Sequence, residues 1–157
     1  MASHIHEKID FTASVYIVHG NKVLLIKHKK LGIWVPPGGH IELDEDPNET
    51  ALREAKEETG LDVKLIGEAV SYGTHFKARD LIPPRFLNRH FFDVASGHEH
   101  IDMCYLARPL SDLSEARHEI DGGEMHWFTE QELEENDFGI VPDVRAHART
   151  ALKELAE

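Results

Sequence analysis

The chain has 157 residues, 41% hydrophobic and 29% charged, which suits one domain able to bury about 68–70% of its unfolded surface. Its formal charge of −12 works against a nucleic-acid backbone as partner, because such binding runs on clustered Lys and Arg, so no long nucleic acid is expected as ligand. The single cysteine, Cys104, cannot close an internal disulfide, no apolar run approaches the roughly 18 residues of a membrane span, and residues 1–10 lack the apolar centre of a signal peptide; no membrane partner and a cytoplasmic location are expected.

Residues 11–18 (FTASVYIV) and 22–27 (KVLLIK) are β-rich runs separated by His19-Gly20-Asn21, the pattern of a hairpin. A basic loop, residues 28–32, precedes Ile33-Trp34-Val35-Pro36-Pro37-Gly38-Gly39, where prolines and glycines interrupt any regular element. Trp34 is read as a packing residue, and the two glycines permit close approach of backbone to a ligand or metal. Asp46 as N-cap, Pro47 at the first helical position, Glu49 closing a capping box and Gly60 as the left-handed stop predict a helix over 47–59. Within it Glu54, Glu57 and Glu58 are spaced i, i+3, i+4 and share one face.

That face is electrostatically unfavourable. The Glu54 and Glu58 pair repels by about 0.2–0.5 kcal/mol if exposed, and acids near a helix C-terminus oppose the macrodipole. A divalent cation would reverse the sign of this cost. A solvated acidic face is the plain alternative; against it, Ala51, Leu52 and Ala55 form an adjoining apolar stripe, so the acids border a buried surface, and the small alanines let the helix approach a sheet closely.

Residues 61–72 alternate as a long or bent strand. Residues 74–88 (THFKARDLIPPRFLN) read as a loop carrying Pro83-Pro84, His75, Lys77, Arg79, Arg85 and two phenylalanines. It is expected to select the substrate, Arg79 supplying charge and Phe86 a stacking surface; an uninvolved surface excursion is the alternative. Residues 89–94 and 99–107 are again strands. His98, His100 and Asp102 are two apart and face one way, so His100 and Asp102 are expected to line the substrate side of a cleft, with a dedicated metal site or plain surface as alternatives. Residues 111–120 read as loop or short turn and 124–128 as a short strand. Thr129 caps a helix over 130–135, and 142–156 is a periodic helix whose apolar face, Val144, Ala148, Ala151, Leu152 and Leu155, should cap the sheet.

Gly39, five residues, Glu45, seven residues, then Arg53-Glu54-Ala55-Lys56-Glu57-Glu58-Thr59-Gly60-Leu61 resembles the signature box of the Nudix hydrolases at every charged position. Ala55 stands where that family usually carries a bulky aliphatic, a departure that bears on helix packing and not on the chemistry. The resemblance implies an α/β fold, a Nudix-type α/β/α sandwich with a mixed β-sheet between helices, as one domain over 1–157. It implies Glu57 and Glu58 as metal ligands, Glu54 as a further ligand or the general base, and the Gly38 carbonyl as a candidate ligand. It also implies a Glu45–Arg53 ion pair that orients helix and loop, with a phosphate contact as the alternative for Arg53, and Gly39 and Gly60 as structural support. The E-x-x-W-F run before Thr129 resembles a second family feature, which makes Glu124 the rival base or ligand.

The implied activity is Mg²⁺-dependent hydrolysis, with Mn²⁺ as substitute, of a nucleoside diphosphate linked to a group X, giving nucleoside monophosphate and phospho-X. Mg²⁺ takes oxygen ligands and shares them with substrate phosphates. It neutralises charge developing in phosphoryl displacement and acidifies a water, whose proton a spare carboxylate can accept. The partner is a small nucleotide, and a homodimer is left open. Two other classes stand beside this: a non-catalytic nucleotide-sensing module on the same scaffold, which the retention of every box acid disfavours, and an acidic metal buffer, for which the apolar stripe and the Gly-Gly turn would be unnecessary.

Overall fold

The computed structural model describes residues 5–69, 78–116, 123–135 and 139–157. The elements run β1 (Ile9–His19), β2 (Lys22–Lys27), β3 (Trp34–Val35), β4 (Gly38–His40), α1 (Pro47–Thr59), β5 (Val63–Ile66), β6 (Phe86–Asp93), β7 (His98–Pro109), a 3-10 turn (Leu113–Glu115), β8 (Met125–Thr129), α2 (Glu130–Glu134) and α3 (Pro142–Leu155). They build one mixed sheet in the order β3-β2-β1-β7-β5, with β4 also on β1, β6 on β7 and β8 on β2. Strands β1 and β7 pair in parallel, Asp10 opposite His100 and Thr12 opposite Asp102, while the other strand pairs are antiparallel.

Strand alternation then sorts the side chains into two layers. Ala13, Val15 and Ile17 of β1 join Leu24, Leu65, Tyr105 and Ala107 around Ala51, Ala55 and Leu61 of the α1 region. On the opposite face Tyr16 and Val18 join Val23, Leu25, Cys104 and Leu106 against Val144, Ala148, Ala151, Leu152 and Leu155 of α3. Helices therefore cover both faces of the sheet, giving an α/β/α sandwich, and α3 buries the five apolar residues its periodicity predicts. Trp34 is buried, its ring centre 5.1 Å from that of Phe128.

Local signals set the limits of α1. The Asp46 carboxylate accepts the Glu49 N–H and the Glu49 carboxylate accepts the Asp46 N–H, both at 2.9 Å. Gly60, at φ 73°, donates its N–H to the Lys56 carbonyl. The apolar stripe differs from expectation. Leu52 is 41% exposed, because one residue along a helix is a 100° turn away from Ala51; the buried positions Ala51, Ala55, Glu58 and Thr59 follow the i, i+4, i+7, i+8 spacing instead. That stripe carries Glu58 into the interior.

Other boundaries move as well. Strand β5 ends at Ile66, with Gly67 at φ 143°, so the expected strand over 61–72 is shorter, and its last residues, 70–72, lie outside the described residues. Strand β6 begins at Phe86, where Phe86 registers on Cys104 and Asn88 on Asp102 of β7, so the preceding loop ends at Arg85 and not Asn88. Its residues 74–77, His75 and Lys77 among them, lie outside the described residues. The segment 111–120 contains the 3-10 turn over 113–115, with 117–120 outside the described residues, and α2 ends at Glu134 with Glu135 as its cap.

Candidate active site

The acid face of α1 is assembled around one guanidinium. Arg53 donates from Nε and Nη2 to the two oxygens of Glu45 at 2.5 and 3.0 Å, from Nη1 to Glu54 at 2.8 Å and Glu57 at 3.1 Å, and from Nη2 to the His40 carbonyl at 3.2 Å. Glu45 also accepts the Thr50 hydroxyl at 2.8 Å. The Arg53 hydrogen bonds, with help from Thr50, hold the Glu45 carboxyl down at about 2, while Glu45 and Glu54 raise the already high Arg53 value.

Glu58 lies on the buried stripe and accepts the Gly38 N–H at 2.7 Å. Burial lifts its carboxyl to about 8; the Gly38 N–H opposes this, and the negative charges of Glu54 and Glu57 add to it. Glu54 is also raised, by burial first, against the pull of Arg53. The second glycine is tied to the same group: a methyl on Gly39 would overlap the Glu54 carboxylate. The cluster thus consists of hard oxygen donors whose mutual repulsion is relieved by a proton, and that donor set suits a hard divalent cation in the proton's place.

On the α3 side of the β4 turn opens a cavity of about 530 Å³. Gly38, Gly39 and His40 line it, facing Thr12, Ser14, His100 and Asp102, with His90, Phe91 and Phe92 from β6. Gly38 and Gly39, which meet the Glu58 and Glu54 carboxylates, thus also belong to its lining. A larger groove, about 890 Å³, between the β8–α2 corner and α3 is lined by Asn21, Gln131, Arg149 and Lys153 among others and holds none of the expected site residues.

The structure brings some expected residues together and separates others. His100 and Asp102 line the cavity. Asp102 accepts the Thr12 and Ser14 hydroxyls at 2.8 and 2.7 Å, whereas His98 and His100 group with Asp10. The three residues of the β7 face thus divide, and the carboxylate beside the histidines comes from β1. Burial, aided by His40, His90 and His98, lowers His100 to about 4. Arg79 pairs with Asp46 at 2.7 Å and Glu49 at 3.8 Å at the start of α1. Phe86 stacks on His147, with Arg85 over its face, and meets Tyr16 edge to face. Neither Arg79 nor Phe86 lines the 530 Å³ cavity. Glu124 is exposed, 3.6 Å from Lys27 Nζ. Asp10, Thr12, Ser14 and His40 went unassigned in the sequence; the alternate polar residues Asp10, Thr12 and Ser14 ahead of Tyr16 and Val18 are the period-2 signal that marks them.

Residues 9–151 match the NUDIX domain. The chain belongs to the NUDIX family. It is 34% identical to a NUDIX-family hydrolase from Clostridium perfringens, with a TM-score of 0.76 over 92% of this chain and 97% of that one. A MutT NUDIX hydrolase from Burkholderia pseudomallei shares the fold at 22% identity and a TM-score of 0.66, covering 96% and 100% of the two chains. Among curated relatives, "Probable DHNTP pyrophosphohydrolase" of Lactococcus lactis subsp. cremoris is 30% identical over 104 residues, 65% of this chain; the chain spans 55% of that relative's length.

In this NUDIX chain the two glycines are predicted to fail differently. A Cβ on Gly38 would stand 2.7 Å from the Ala13 carbonyl oxygen and the Ser14 Cβ, which cannot yield without moving β1, so Gly38→Ala should lower the melting temperature. Gly39→Ala should displace only the flexible end of Glu54 and leave the melting temperature close to wild type. Thermal melting of both variants checks this, and equal melting of the two would refute it.

The Glu58 shift sets the sign of a pH dependence. Folded, Glu58 keeps its proton to about pH 8; unfolded, it loses it near the ordinary 4.5, so across that window the folded state binds more protons and stability falls as pH rises. Glu45 acts oppositely, its contribution present above the ordinary 4.5 and lost as pH falls through about 2. In EDTA, melting temperatures measured from about pH 5 to about pH 8 should decline less steeply for Glu58→Gln than for wild type. Parallel slopes would show that Glu58 is not the group responsible.

Proposed function

We propose that this chain is a Mg²⁺-dependent pyrophosphohydrolase, with Mn²⁺ as a substitute, that cleaves a nucleoside diphosphate linked to a group X into nucleoside monophosphate and phospho-X. The observation that carries the reading is the placement of Glu58 and Glu54 against Gly38 and Gly39, two glycines that also line a cavity of substrate size. The pyrophosphohydrolase named among its relatives supports the bond class. The reading takes a small nucleotide as partner and a cytoplasmic site of action; no helix of the described residues is long and apolar enough to cross a membrane. The whole of 1–157 is taken as one domain, and a homodimer is compatible with it.

Glu57, Glu58 and the Gly38 carbonyl are the groups assigned to hold the ion. When bound, the cation neutralises diphosphate charge and acidifies a water. Glu54 is assigned as the base that takes the water's proton, since its raised carboxyl lies one turn before Glu58 and is aimed at the turn by Arg53. Glu45 positions Arg53 through two hydrogen bonds, and Arg53 in turn keeps Glu54 and Glu57 in place. His100 and Asp102 line the substrate side, with the Phe91 and Phe92 rings beside them for a base to pack on. Arg79 and Phe86 would act on selection only through the segment before β6, since both are engaged elsewhere. Glu124, exposed beside Lys27, is the rival base.

Mass action separates ligand from base. Loss of a ligand is partly rescued by saturating Mg²⁺, whereas loss of a general base, typically about 10²–10⁴-fold in rate, is not. Against a panel of nucleoside diphosphate derivatives, Glu58→Gln should recover kcat in part as Mg²⁺ is raised, and Glu54→Gln should keep a large deficit. Recovery of Glu54→Gln with a persistent deficit in Glu124→Gln would move the base to Glu124. Binding without turnover of any panel member in the wild type would favour a nucleotide sensor.

A further inference from the structure

The parallel pairing of β1 and β7 sets Asp10 opposite His100, with His98 two residues earlier on the same face. All three are buried, and one ligand atom from each lies within 4.8 Å of the others. From β4 on the other edge of β1 comes His40, whose Nε2 lies 3.3 Å from Asp10 Oδ2. His98 Nε2 lies 3.2 Å from that same oxygen. The His100 ring centre is 5.1 Å from that of His40 and 5.4 Å from that of His98.

The outer contacts fix how these groups present themselves. Asp10 Oδ1 accepts the backbone N–H of His6 at 2.8 Å and of Ile5 at 3.1 Å, the Ile5 N–H is shared with Oδ2 at 3.3 Å, and Oδ2 also faces the histidines. His98 Nδ1 lies 3.0 Å from the Glu7 carbonyl. A carbonyl only accepts, so Nδ1 carries the hydrogen and Nε2 is the atom turned to the Asp10 carboxylate. A cation between that nitrogen and the carboxylate would bind both. A carbonyl behind the histidine and backbone N–H groups behind the carboxylate are the supports that orient metal ligands.

The spacing has room for a metal. A charge-assisted N–H to carboxylate bond contracts to about 2.7–2.9 Å. Ligands about 2.0–2.2 Å from a tetrahedral Zn²⁺ stand roughly 3.4 Å apart. The two Nε2 to Oδ2 separations, 3.2 and 3.3 Å, lie between the two values. Imidazole with one carboxylate is also a donor set for Zn²⁺ or Fe²⁺ and a poor one for Mg²⁺. We propose that Asp10, His98 and His100, with His40 as fourth donor, bind one first-row transition ion of the Zn²⁺ class, at a site separate from the α1 carboxylates. The ion would clamp β1, β4 and β7 in the cavity wall, where His100 also stacks on Phe92 at 4.7 Å.

The full chain, dialysed against EDTA, is titrated with Zn²⁺ against a chromophoric chelator and, separately, with Co²⁺ while its visible spectrum is read. Wild type and the double variant Glu57→Gln, Glu58→Gln should each bind one equivalent of Zn²⁺ tightly, and the double variant His98→Asn, His100→Asn should bind it about 100-fold more weakly or worse. Circular dichroism checks the fold of each variant. Wild-type Co²⁺ protein needs no variant: it should show the intense visible bands of a four-coordinate ion with nitrogen ligands. Zn²⁺ binding lost with the glutamates and kept without the histidines would overturn the proposal, as would no tight Zn²⁺ binding at all, which would leave a buried imidazolium–carboxylate pair. The glutamate variant is the arm that keeps this outcome distinguishable from failure of the hydrolase reading.

Discussion

Carboxylates crowded onto the last turns of a helix, with one of them inside the fold, hold together only if something cancels their charge. Arg53 supplies that cancellation. Its planar fork reaches both oxygens of Glu45, one each of Glu54 and Glu57, and the His40 carbonyl, so one side chain ties the loop before α1, the helix and β4 into a single unit. A lysine carries one point charge and no fork, and could not satisfy these partners together. Removing Arg53 would leave partly buried carboxylates uncompensated, which costs far more than the pair contributes in isolation.

Glu58 is the acid that Arg53 does not touch, and its environment differs accordingly. It sits on the buried stripe with Ala51 and Ala55 and accepts the Gly38 N–H. The alanines let the helix come close enough to the sheet for a glutamate to reach the β4 turn. At that turn the wall is thin, because Gly38 and Gly39 add no side chains between the carboxylates and the cavity. A bulkier residue at either position would meet β1 on one side or Glu54 on the other.

A single sheet face serves two purposes along its length. At the end of β1 and β7 near Tyr16, Val18, Cys104 and Leu106 it is hydrophobic core under α3, and at the other end Asp10, Thr12, Ser14, His98, His100 and Asp102 make it polar. These polar groups are buried or half-buried, and they are stabilised by pairing with each other: Thr12 and Ser14 donate to Asp102, while Asp10 collects two backbone N–H groups and faces histidines from both neighbouring strands.

What the sequence determined by itself was local. The Asp46–Glu49 capping box, Pro47 and Gly60 bound α1 because caps are satisfied within a few residues, and 3.6-residue periodicity alone places three glutamates on one face and five apolar residues of α3 on another. The charged pattern of residues 39–61 carried the family for the same reason: its meaning lies in spacing along one loop and one helix. Contacts made across the fold were decided only by tertiary structure. Leu52 is apolar yet exposed, because the sheet meets α1 along Ala51 and Ala55; Phe86 is a strand residue, because β7 offers it a register; and Asp10, in a short polar segment with no motif, becomes the partner of histidines about ninety positions away only when β1 and β7 pair in parallel. Strand register is set by the pairing of distant segments, so a residue's neighbours across a sheet cannot be read from its neighbours along the chain.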